Sequence, residues 1–226
     1  LSGIGFGNIS SNELRANVLQ VMDRVGVHLD PDQVVETLSI GERQRVEIIK
    51  ALYHDCKVLI LDEPTAVLTP QDIEALFVTI RKLRESNLGV LFVSHKLREV
   101  KEISDRVVVL RHGRLVADKA IDEVTSESLA SLMMGVTHID SADESAAIGA
   151  EELKVRRSTA HHTDSGIPTL EIKQLSLTDN DVTVLDDISL RVNANEIVGI
   201  AGISGNGQSQ LVDVLSGVLQ QNSGTI

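Results

Sequence analysis

The spacing of apolar residues predicts three helices in the N-terminal part of the chain. Apolar positions recur every three or four residues over Ser11–Gly26 and after Thr69, and this spacing places them on one face of a helix. Thr69 and Pro70 form a strong helix start, because Thr caps free backbone N–H groups and Pro suits the first helical position. A further helix is expected from Ser39 to about Tyr53.

Short apolar runs between and after these helices predict strands. Lys57–Leu61 and Gly89–Val93 have strand length. After a helix at Lys96–Ile103, the runs Asp105–Leu110 and Leu115–Ala117 bracket a hairpin turn. Strands that alternate with helices favour an α/β fold with a largely parallel sheet covered on both faces.

A second pattern of short strands begins near Leu170 and leads into a Gly-rich loop. Its apolar runs are Leu170–Ile172, Leu175–Leu177, Val182–Val192 and Ile197–Ile200, and a helix follows around Gln208–Leu219. Between the two patterns, a helix is expected at Thr125–Gly135, and Val136–Ile167 has the Ser, Ala, Asp and Glu content of a linker. We therefore expect a folded region over residues 1–118, an acidic linker over 119–168 and the start of a second domain over 169–226.

Composition narrows the functional classes. The net charge of −12 argues against nucleic-acid binding, which needs a basic surface. The one cysteine, Cys56, excludes an internal disulfide and fits a reducing compartment. No run reaches the roughly 20 apolar residues of a membrane span, and the first residues lack the layout of a secretory signal. We expect an internal piece of a longer protein.

Two acidic residues at the end of the first strand are candidates for chemistry. Asp62 and Glu63 follow the run Lys57–Leu61, and open α/β sheets bind ligands at the carboxyl ends of their strands. Asp62 would hold Mg²⁺ through water, and Glu63 would polarise an attacking water. The structural alternative is a plain strand end that leads into a turn.

Two further segments point to the same chemistry. Ser39 would cap a helix whose free N–H groups, with Ile40 and Gly41, grip a phosphate, although any amphipathic helix can have such a cap. His95 follows the strand Gly89–Val93 and could hydrogen-bond a terminal phosphate and the attacking water. A histidine at a strand end more often has no such role.

A Gly-rich loop completes the set of motifs. Residues 202–209 follow a strand and open a helix, as a phosphate-binding loop does, but Gln208 stands where that pattern requires Lys. Gln donates hydrogen bonds but brings no charge to offset the β and γ phosphates. We expect weak nucleotide binding, and a Gly turn that binds nothing is the alternative.

The order of these motifs resembles the ATP-binding subunit of an ABC transporter. The stretches LSIGERQRVEI, VLILDEPTAVLTPQD, FVSHKL and DRVVVLRHGRLV carry the resemblance, which covers nearly everything outside the linker. It implies a P-loop NTPase fold of the ABC ATPase type, with the C-terminal part of one nucleotide-binding domain followed by the β-rich start of a second. It also implies an ATPase that uses ATP and Mg²⁺.

The resemblance assigns a role to each candidate residue. Glu63 would be the catalytic carboxylate after the Walker B strand Val58–Asp62, His95 the switch histidine, and Ala66–Thr69 the D-loop. Asp62 would bind Mg²⁺ through water, and Ser209 would bind it if the second site holds nucleotide. The ATP-binding residues would be Ser39, Ile40, Gly41 and Glu42 of the ABC signature, with Gly202, Ser204, Gly205, Asn206, Gly207, Gln208, Ser209 and Gln210 of the degenerate Walker A loop.

The variant residues narrow the resemblance further. Ile40 in place of a usual Gly, the AVLTPQ stretch and a second nucleotide domain on one chain look like tandem importers of simple sugars and nucleosides. The stretch Gly205–Leu211 is closer to the nucleoside branch. The partners implied are transmembrane permease subunits, the other nucleotide-binding domain and, indirectly, a substrate-binding protein, but no nucleic acid. The expected place is the cytoplasmic face of the cell membrane, as a peripheral protein.

In this family, two nucleotide domains dimerise head to tail and share their sites. Ser39 and Gly41 are therefore expected to face the loop Gly202–Gln210. Glu63 and His95 are expected to belong to a site whose phosphate loop lies before Leu1. On this interpretation neither site is complete, and the chain alone releases no phosphate above background.

Two alternatives remain beside a fragment of an importer ATPase. The first is a truncated chain that binds nucleotide without hydrolysing it. The second is a soluble tandem ABC protein that acts on ribosomes or DNA. Such proteins tend to carry a long basic interdomain helix, whereas this linker is acidic and short.

Overall fold

The computed structural model describes residues 11–54, 56–135, 168–179 and 182–226. Its helices are α1 (Ser11–Val25), α2 (Ile40–Tyr53), α3 (Pro70–Glu85), α4 (Leu97–Ile103), α5 (Ser126–Met134) and α6 (Gln208–Leu215). Its strands are β1 (Val58–Asp62), β2 (Gly89–Val93), β3 (Arg106–Arg111), β4 (Arg114–Ala120), β5 (Pro168–Asp179), β6 (Val182–Asn193), β7 (Ile197–Ala201) and β8 (Ser223–Thr225). Short 3-10 turns lie at Val35–Thr37 and Ile121–Glu123.

The main sheet has five strands in the order β1-β2-β7-β3-β4. Strands β1, β2, β7 and β3 run parallel, and β4 closes the edge as the antiparallel arm of a hairpin. Strand β7 belongs to the second sequence pattern, but it lies between β2 and β3 of the first. The two patterns therefore contribute to one sheet.

A second, antiparallel sheet has the order β6-β5-β8 and covers one face of the first. The structure has two hydrophobic cores, one on each face of the main sheet. Alternate residues of β2 contribute to one core or the other, because successive side chains of a strand point to opposite faces. Val90 and Phe92 pack with helices α1 to α5, while Leu91 and Val93 pack with β5, β6 and α6. Burial on both faces explains why β2 and β7 are apolar at nearly every position.

The predicted helices and strands of the first pattern are confirmed to within a few residues. The expected α/β fold is confirmed as well. Helix α5 is present, and Leu129 and Met133 bury its apolar face. The linker prediction is wrong at its N-terminal boundary, because Lys119 and Ala120 belong to β4 and pair with Val107 and Arg106. The segment Val136–Ile167 lies outside the described residues.

The second pattern differs from its prediction in three places. Strand β5 is continuous rather than split in two, and its register shifts between Ile172 and Leu175, around Gln174 with φ of +51°. Helix α6 ends at Leu215 and not near Leu219, because Gly217 adopts the left-handed conformation with φ of +74°. The short strand β8 was not predicted.

Candidate functional site

Asp62 and Glu63 lie at the carboxyl edge of the main sheet. Asp62 is the last residue of β1, and the backbone N–H of Glu63 still donates to the carbonyl of Val93 on β2 at 2.9 Å. Glu63 then leaves the sheet with φ of +45°, a conformation that costs a non-Gly residue free energy and occurs often at functional sites. The strand therefore ends in a fixed, strained turn that carries the carboxylate.

His95 contacts the Glu63 carboxylate directly. Its ring Nδ1 lies 2.7 Å from Oε1 of Glu63, and its backbone N–H donates to the same oxygen at 3.1 Å. The other carboxylate oxygen, Oε2, is buried and has no hydrogen-bond partner among the described residues. Buried carboxylate oxygens are normally paired, so Oε2 is an acceptor that the described residues leave without a partner.

A polar cluster fixes the turn after Glu63 to the segment that carries His95. Thr65 is 1% exposed and donates from its hydroxyl to Oε2 of Glu99 at 2.5 Å. Lys96 donates to the Thr65 carbonyl at 3.1 Å and lies 3.2 Å from Oε1 of Glu99. Sequence reasoning missed Lys96 and Glu99. Their spacing of three residues, from the N-cap of α4 into its first turn, was the available signal.

Helix α2 supports the same turn from the other side. Gln44 donates from its side-chain amide to the carbonyl of Pro64 at 2.7 Å. Ser39 caps α2 in a capping box with Glu42, and the bonds from Ser39 hold the pKa of the Glu42 carboxyl below its usual range. This confirms the predicted cap of α2 but does not test whether it binds a phosphate.

Gly41 is where α2 contacts α3. A Cβ at Gly41 would lie 2.4 Å from Oδ1 of Asp72, so a side chain there would have to displace Asp72. Arg45 lies 3.8 Å from the same carboxylate. Ile40, beside Gly41, is 58% exposed. Helix α2 thus holds its capped end against α3 and leaves Ile40 open to solvent.

The Gly-rich loop follows β7 and ends at the start of α6. Because β7 lies next to β2, the loop begins at the same edge of the sheet as Asp62 and His95. Gly205 and Gly207 have φ of +86° and +102°, values that favour Gly over any residue with a side chain. Backbone N–H groups at the N-terminus of a helix suit an anion.

Gln208 is hydrogen-bonded inside the loop and is 8% exposed. Its carbonyl oxygen accepts from the backbone N–H of Asn206 at 3.1 Å, and its amide nitrogen donates to the carbonyl of Ile203 at 3.1 Å. The side chain of Asn206 donates to the same carbonyl at 2.8 Å. One backbone donor of the loop, the N–H of Asn206, is therefore already paired with the Gln208 side chain.

The turn between β3 and β4 is hydrogen-bonded to the Gly-rich loop. The backbone N–H of His112 donates to Oδ1 of Asn206 at 2.6 Å, and that of Gly113 donates to the Asn206 carbonyl at 3.0 Å. Gly113 in turn accepts from the N–H of Asp186 on β6 at 2.8 Å. Sequence reasoning identified this hairpin turn but not its contact with the loop, because nothing local signals a bond so distant along the chain.

The environment of Asp62 is electrostatically unfavourable for a carboxylate without a cation. Asp62 is exposed at the end of β1, but partial desolvation of its carboxyl raises its pKa, and the carboxylates of Glu63 and of Asp213 on α6 raise it further. No group of three or more His, Cys, Asp or Glu residues in the described part of the chain could hold a metal ion alone. A Mg²⁺ ion would fit here only together with phosphate oxygens and water, which is the usual mode for nucleotide-bound Mg²⁺.

Comparison with known proteins identifies the family. A sequence profile described as ABC transporter matches residues 6–66 and 185–226. A glucose import ATP-binding protein of Haloferax volcanii is 36% identical over 210 residues, which is 92% of this chain and 35% of that protein. A nucleoside import ATP-binding protein of Lactococcus lactis subsp. cremoris is 34% identical over 220 residues, 97% of this chain and 40% of that protein.

The chain belongs to the ABC transporter family. It spans between a third and a half of the length of these curated relatives. A solved structure of an inward-facing ABC transporter of the metal-chelate type shares its fold, with a TM-score of 0.51 and 17% identity over 83% of this chain and 60% of that one. No helix among the described residues is both long and apolar enough to cross a membrane.

The structure of this ABC chain groups the motifs differently from the expectation. The carboxylates Asp62 and Glu63, the histidine His95 and the Gly202–Ser209 loop meet at one edge of one sheet. The sequence motifs predict that Glu63 and His95 belong with a loop before Leu1. The difference arises because β7, which leads into the loop, pairs with β2 on one side and with β3 on the other.

Proposed function

We propose that this chain is an ATP-binding and ATP-hydrolysing part of an importer for simple sugars or nucleosides. The observation that carries the proposal is the Glu63–His95 contact, which engages Oε1 of Glu63 and leaves Oε2 without a partner among the described residues. The names of the relatives, which refer to import of glucose and of nucleosides, support the transport role.

Each residue of the site would have a separate role in hydrolysis. Glu63 would take a hydrogen bond from the attacking water through Oε2 and orient it toward the γ-phosphate. His95, held by its Nδ1 contact with Glu63, would present Nε2 to the phosphate oxygens as charge develops in the transition state. Asp62 and Ser209 would hold Mg²⁺, which when bound neutralises charge on the β and γ phosphates.

The loop and the signature would bind the substrate. Backbone N–H groups of Gly205, Gly207 and Gln208 would contact the phosphates at the N-terminus of α6. Ser39, Ile40 and the other signature residues would contact nucleotide held by a second nucleotide-binding unit, as the family resemblance implies. Permease subunits, and through them a substrate-binding protein, are the partners that we propose, with the chain peripheral at the membrane.

Gln208 favours one alternative, namely nucleotide binding without hydrolysis. The side-chain oxygen of Gln208 accepts from the Asn206 N–H, and the neutral side chain brings no positive charge toward the phosphates. Against this alternative, the catalytic carboxylate and the loop meet at one edge of the sheet in this chain. The arrangement therefore favours slow hydrolysis by the chain itself, in place of the absence of turnover expected from the sequence.

Binding of a fluorescent ATP analogue, with and without Mg²⁺, tests the proposal. We expect Mg²⁺-dependent binding that weakens about tenfold in Ser209→Ala, which loses a hydroxyl ligand. Ser86→Ala, at the exposed end of α3, should bind like the wild type. No binding at millimolar Mg-ATP, or equal binding by Ser209→Ala, would contradict the proposal.

A cellular experiment tests the transported class. Cells that express the full-length protein would be given labelled uridine, ribose and glucose, with Glu63→Gln as the inactive control. We propose nucleosides as the first class, on the likeness of Gly205–Leu211 to that branch. Uptake of a sugar but not of uridine would overturn this assignment and keep the importer function.

A further inference from the structure

The segments that carry Glu63 and His95 lie just beyond the paired part of their strands. The ladder between β1 and β2 ends at Asp62↔Val93, and one further bond joins the N–H of Glu63 to the Val93 carbonyl at 2.9 Å. Glu63 then leaves the sheet with φ of +45°. The contact between Glu63 and His95 is therefore made outside the ladder, where strand pairing no longer fixes the distance between the two segments.

The carboxylate of Glu99 joins these two segments to each other. It lies in the first turn of α4, and its side chain is 12% exposed. Its Oε2 accepts from the Thr65 hydroxyl at 2.5 Å and, over a longer distance of 3.4 Å, from the Ser94 hydroxyl. Thr65 follows Glu63 by two residues, Ser94 directly precedes His95, and both are 1% exposed. One carboxylate oxygen thus holds a residue from each segment.

Lys96 completes the same connection. Its Nζ lies 3.2 Å from Oε1 of Glu99 and donates to the Thr65 carbonyl at 3.1 Å. Its backbone N–H donates to the Ser94 hydroxyl at 3.1 Å. A carboxylate with so little exposure needs both a paired charge and hydrogen bonds to its oxygens. Glu99 has both, and each of its oxygens is engaged by groups of the protein itself.

We propose that Glu99 is a positioning residue for hydrolysis, which holds the Glu63 carboxylate and the His95 ring in contact without itself binding the nucleotide. A small displacement of a catalytic group can lower a rate by about 100-fold. A carboxylate that bonds to Thr65 and Ser94 restrains both catalytic side chains through their close neighbours. This inference rests on the proposed function and adds to it a residue that lies outside every motif of the sequence.

The structural alternative is that Glu99 only stabilises the start of α4. An acidic residue in the first turn does so through the helix dipole. In that case Glu99→Ala would lower the Tm, but it would leave the Glu63–His95 contact and the rate of phosphate release by the folded chain unchanged. The two roles therefore differ in what they predict for rate, affinity and the His95 ring.

The first test separates rate from affinity. With saturating Mg-ATP, Glu99→Ala should lower phosphate release about 30-fold or more, while the dissociation constant of Mg-ATP changes less than about threefold. Glu102→Ala is the matched control, because Glu102 lies one turn further along α4 in an exposed pair with Arg81. It should match the wild type. A loss of affinity as large as the loss of rate in Glu99→Ala would overturn the positioning role.

A conservative pair at Thr65 tests the same connection without changing Glu99. Thr65→Ser keeps the hydroxyl that donates to Glu99, and Thr65→Val keeps the shape but loses this donor. Thr65→Ser should release phosphate within about threefold of the wild-type rate, and Thr65→Val should be slowed about as much as Glu99→Ala. Equal rates in the two Thr65 variants would contradict the proposal. This pair also carries the test if Glu99→Ala does not fold.

A double variant asks whether Glu99 acts through His95. Once His95 is removed, there is no contact left for Glu99 to hold. Addition of Glu99→Ala to His95→Ala should therefore slow phosphate release by less than a further factor of about three. A second loss as large as that of Glu99→Ala alone would show that the two residues act independently, and it would overturn the proposal.

Nitrogen NMR of the histidine-labelled chain tests the contact without nucleotide. The His95 ring resonances are assigned by their loss in His95→Ala. Glu99→Ala should move the Nδ1 resonance of His95 toward that of the exposed His28, and Glu102→Ala should leave it in place. An unmoved resonance in Glu99→Ala would overturn the positioning role even if the chain hydrolyses ATP. A moved resonance in a chain that hydrolyses no ATP would refute the proposed function and leave the restraint by Glu99 supported.

Discussion

The ring Nδ1 of His95 lies 2.7 Å from Oε1 of Glu63, and the His95 backbone N–H donates to that same oxygen. One oxygen of the carboxylate is thus engaged twice, while Oε2 has no partner within the described residues. Because the contact engages Nδ1, Nε2 is the ring nitrogen left to face a ligand. This pair links the turn after β1 to the segment after β2.

Replacement of the histidine should slow chemistry more than binding. We predict that His95→Ala lowers phosphate release about 100-fold, the usual cost of losing one group that stabilises transition-state charge. The affinity for Mg-ATP should change little, since the loop supplies most phosphate contacts. Rapid-quench measurement of phosphate, with the exposed His28→Ala as control, checks this. Equal losses of release and affinity would mean that His95 acts mainly in binding.

Restoration of charge in the phosphate loop should strengthen nucleotide binding. Gln208→Lys replaces a neutral donor with a charged one, and a charge-assisted hydrogen bond contributes about 1.5–3 kcal/mol. We therefore predict Mg-ATP affinity at least about tenfold tighter. Gln208→Met, of similar length but without charge or hydrogen bonds, is the control and should not gain affinity. An unchanged dissociation constant in Gln208→Lys would show that the loop does not contact the β and γ phosphates.

The ionised carboxylate of Asp62 should destabilise the folded chain at neutral pH. Partial desolvation and then the Glu63 and Asp213 carboxylates raise its pKa above the ordinary 3.8. As pH falls through the raised value, the folded chain takes up a proton before the unfolded chain does, so stability increases toward acid and is lost again as pH rises. Asp62→Asn should therefore raise the Tm at pH 7 while it weakens Mg²⁺-dependent binding.

Thermal unfolding of the wild type and Asp62→Asn between pH 7 and pH 3 checks this prediction. The difference in Tm should shrink as pH falls, because Asp62 itself becomes neutral. Asp213→Asn should lower the pKa of Asp62 and move the acid loss of Mg-ATP binding to lower pH. A lower Tm for Asp62→Asn at pH 7 would contradict the electrostatic account.

The ion pair between Arg106 and Glu196 should be strongly coupled. Burial alone would lower the pKa of Arg106, but Asp118 and Glu196 raise it instead. Removal of one partner from a nearly buried pair typically costs about 3–5 kcal/mol, because the other charge is left uncompensated. We predict that Glu196→Gln and Arg106→Met each lower the free energy of unfolding by a few kcal/mol. The loss should be smaller for Glu196→Gln, because Arg106 keeps its ion pair with Asp118.

A double-mutant cycle measures this coupling. The double variant should be less destabilised than the sum of the single variants, with an interaction energy of about 1–3 kcal/mol. The exposed pair Arg15–Asp32, with side chains 49% and 69% exposed, is the control and should couple by less than about 1 kcal/mol. Additive effects at Arg106 and Glu196 would mean that these two side chains do not form this contact in solution.

Local sequence signals were sufficient for most of the fold. Thr69 and Pro70 gave the start of α3, and the helix expected at Thr125–Gly135 is present as α5. The Gln174 bulge and the end of α6 at Leu215 were missed, because backbone irregularities depend on tertiary contacts. The candidate residues Asp62, Glu63, His95 and Gln208 were all found from motif and spacing, and their catalytic and binding roles stay predictions.

The grouping of the site residues could not be predicted in the same way. Motif spacing shows which residue types suit a phosphate, but not which strand lies between β2 and β3. That depends on the pairing of β7 with strands distant along the chain, and on ion pairs such as Arg106–Glu196. The division into residues 1–118 and 169–226 as parts of two domains also stays a prediction.

Single-turnover hydrolysis by Glu63→Gln tests the central claim most directly, with Mg-ATP saturating and binding measured on the same sample. We predict that Glu63→Gln binds Mg-ATP as tightly as the wild type but releases phosphate at least about 100-fold more slowly, since it loses the general base. Glu74→Gln, an exposed carboxylate on α3, should match the wild type. Phosphate release by Glu63→Gln at the wild-type rate would contradict the account.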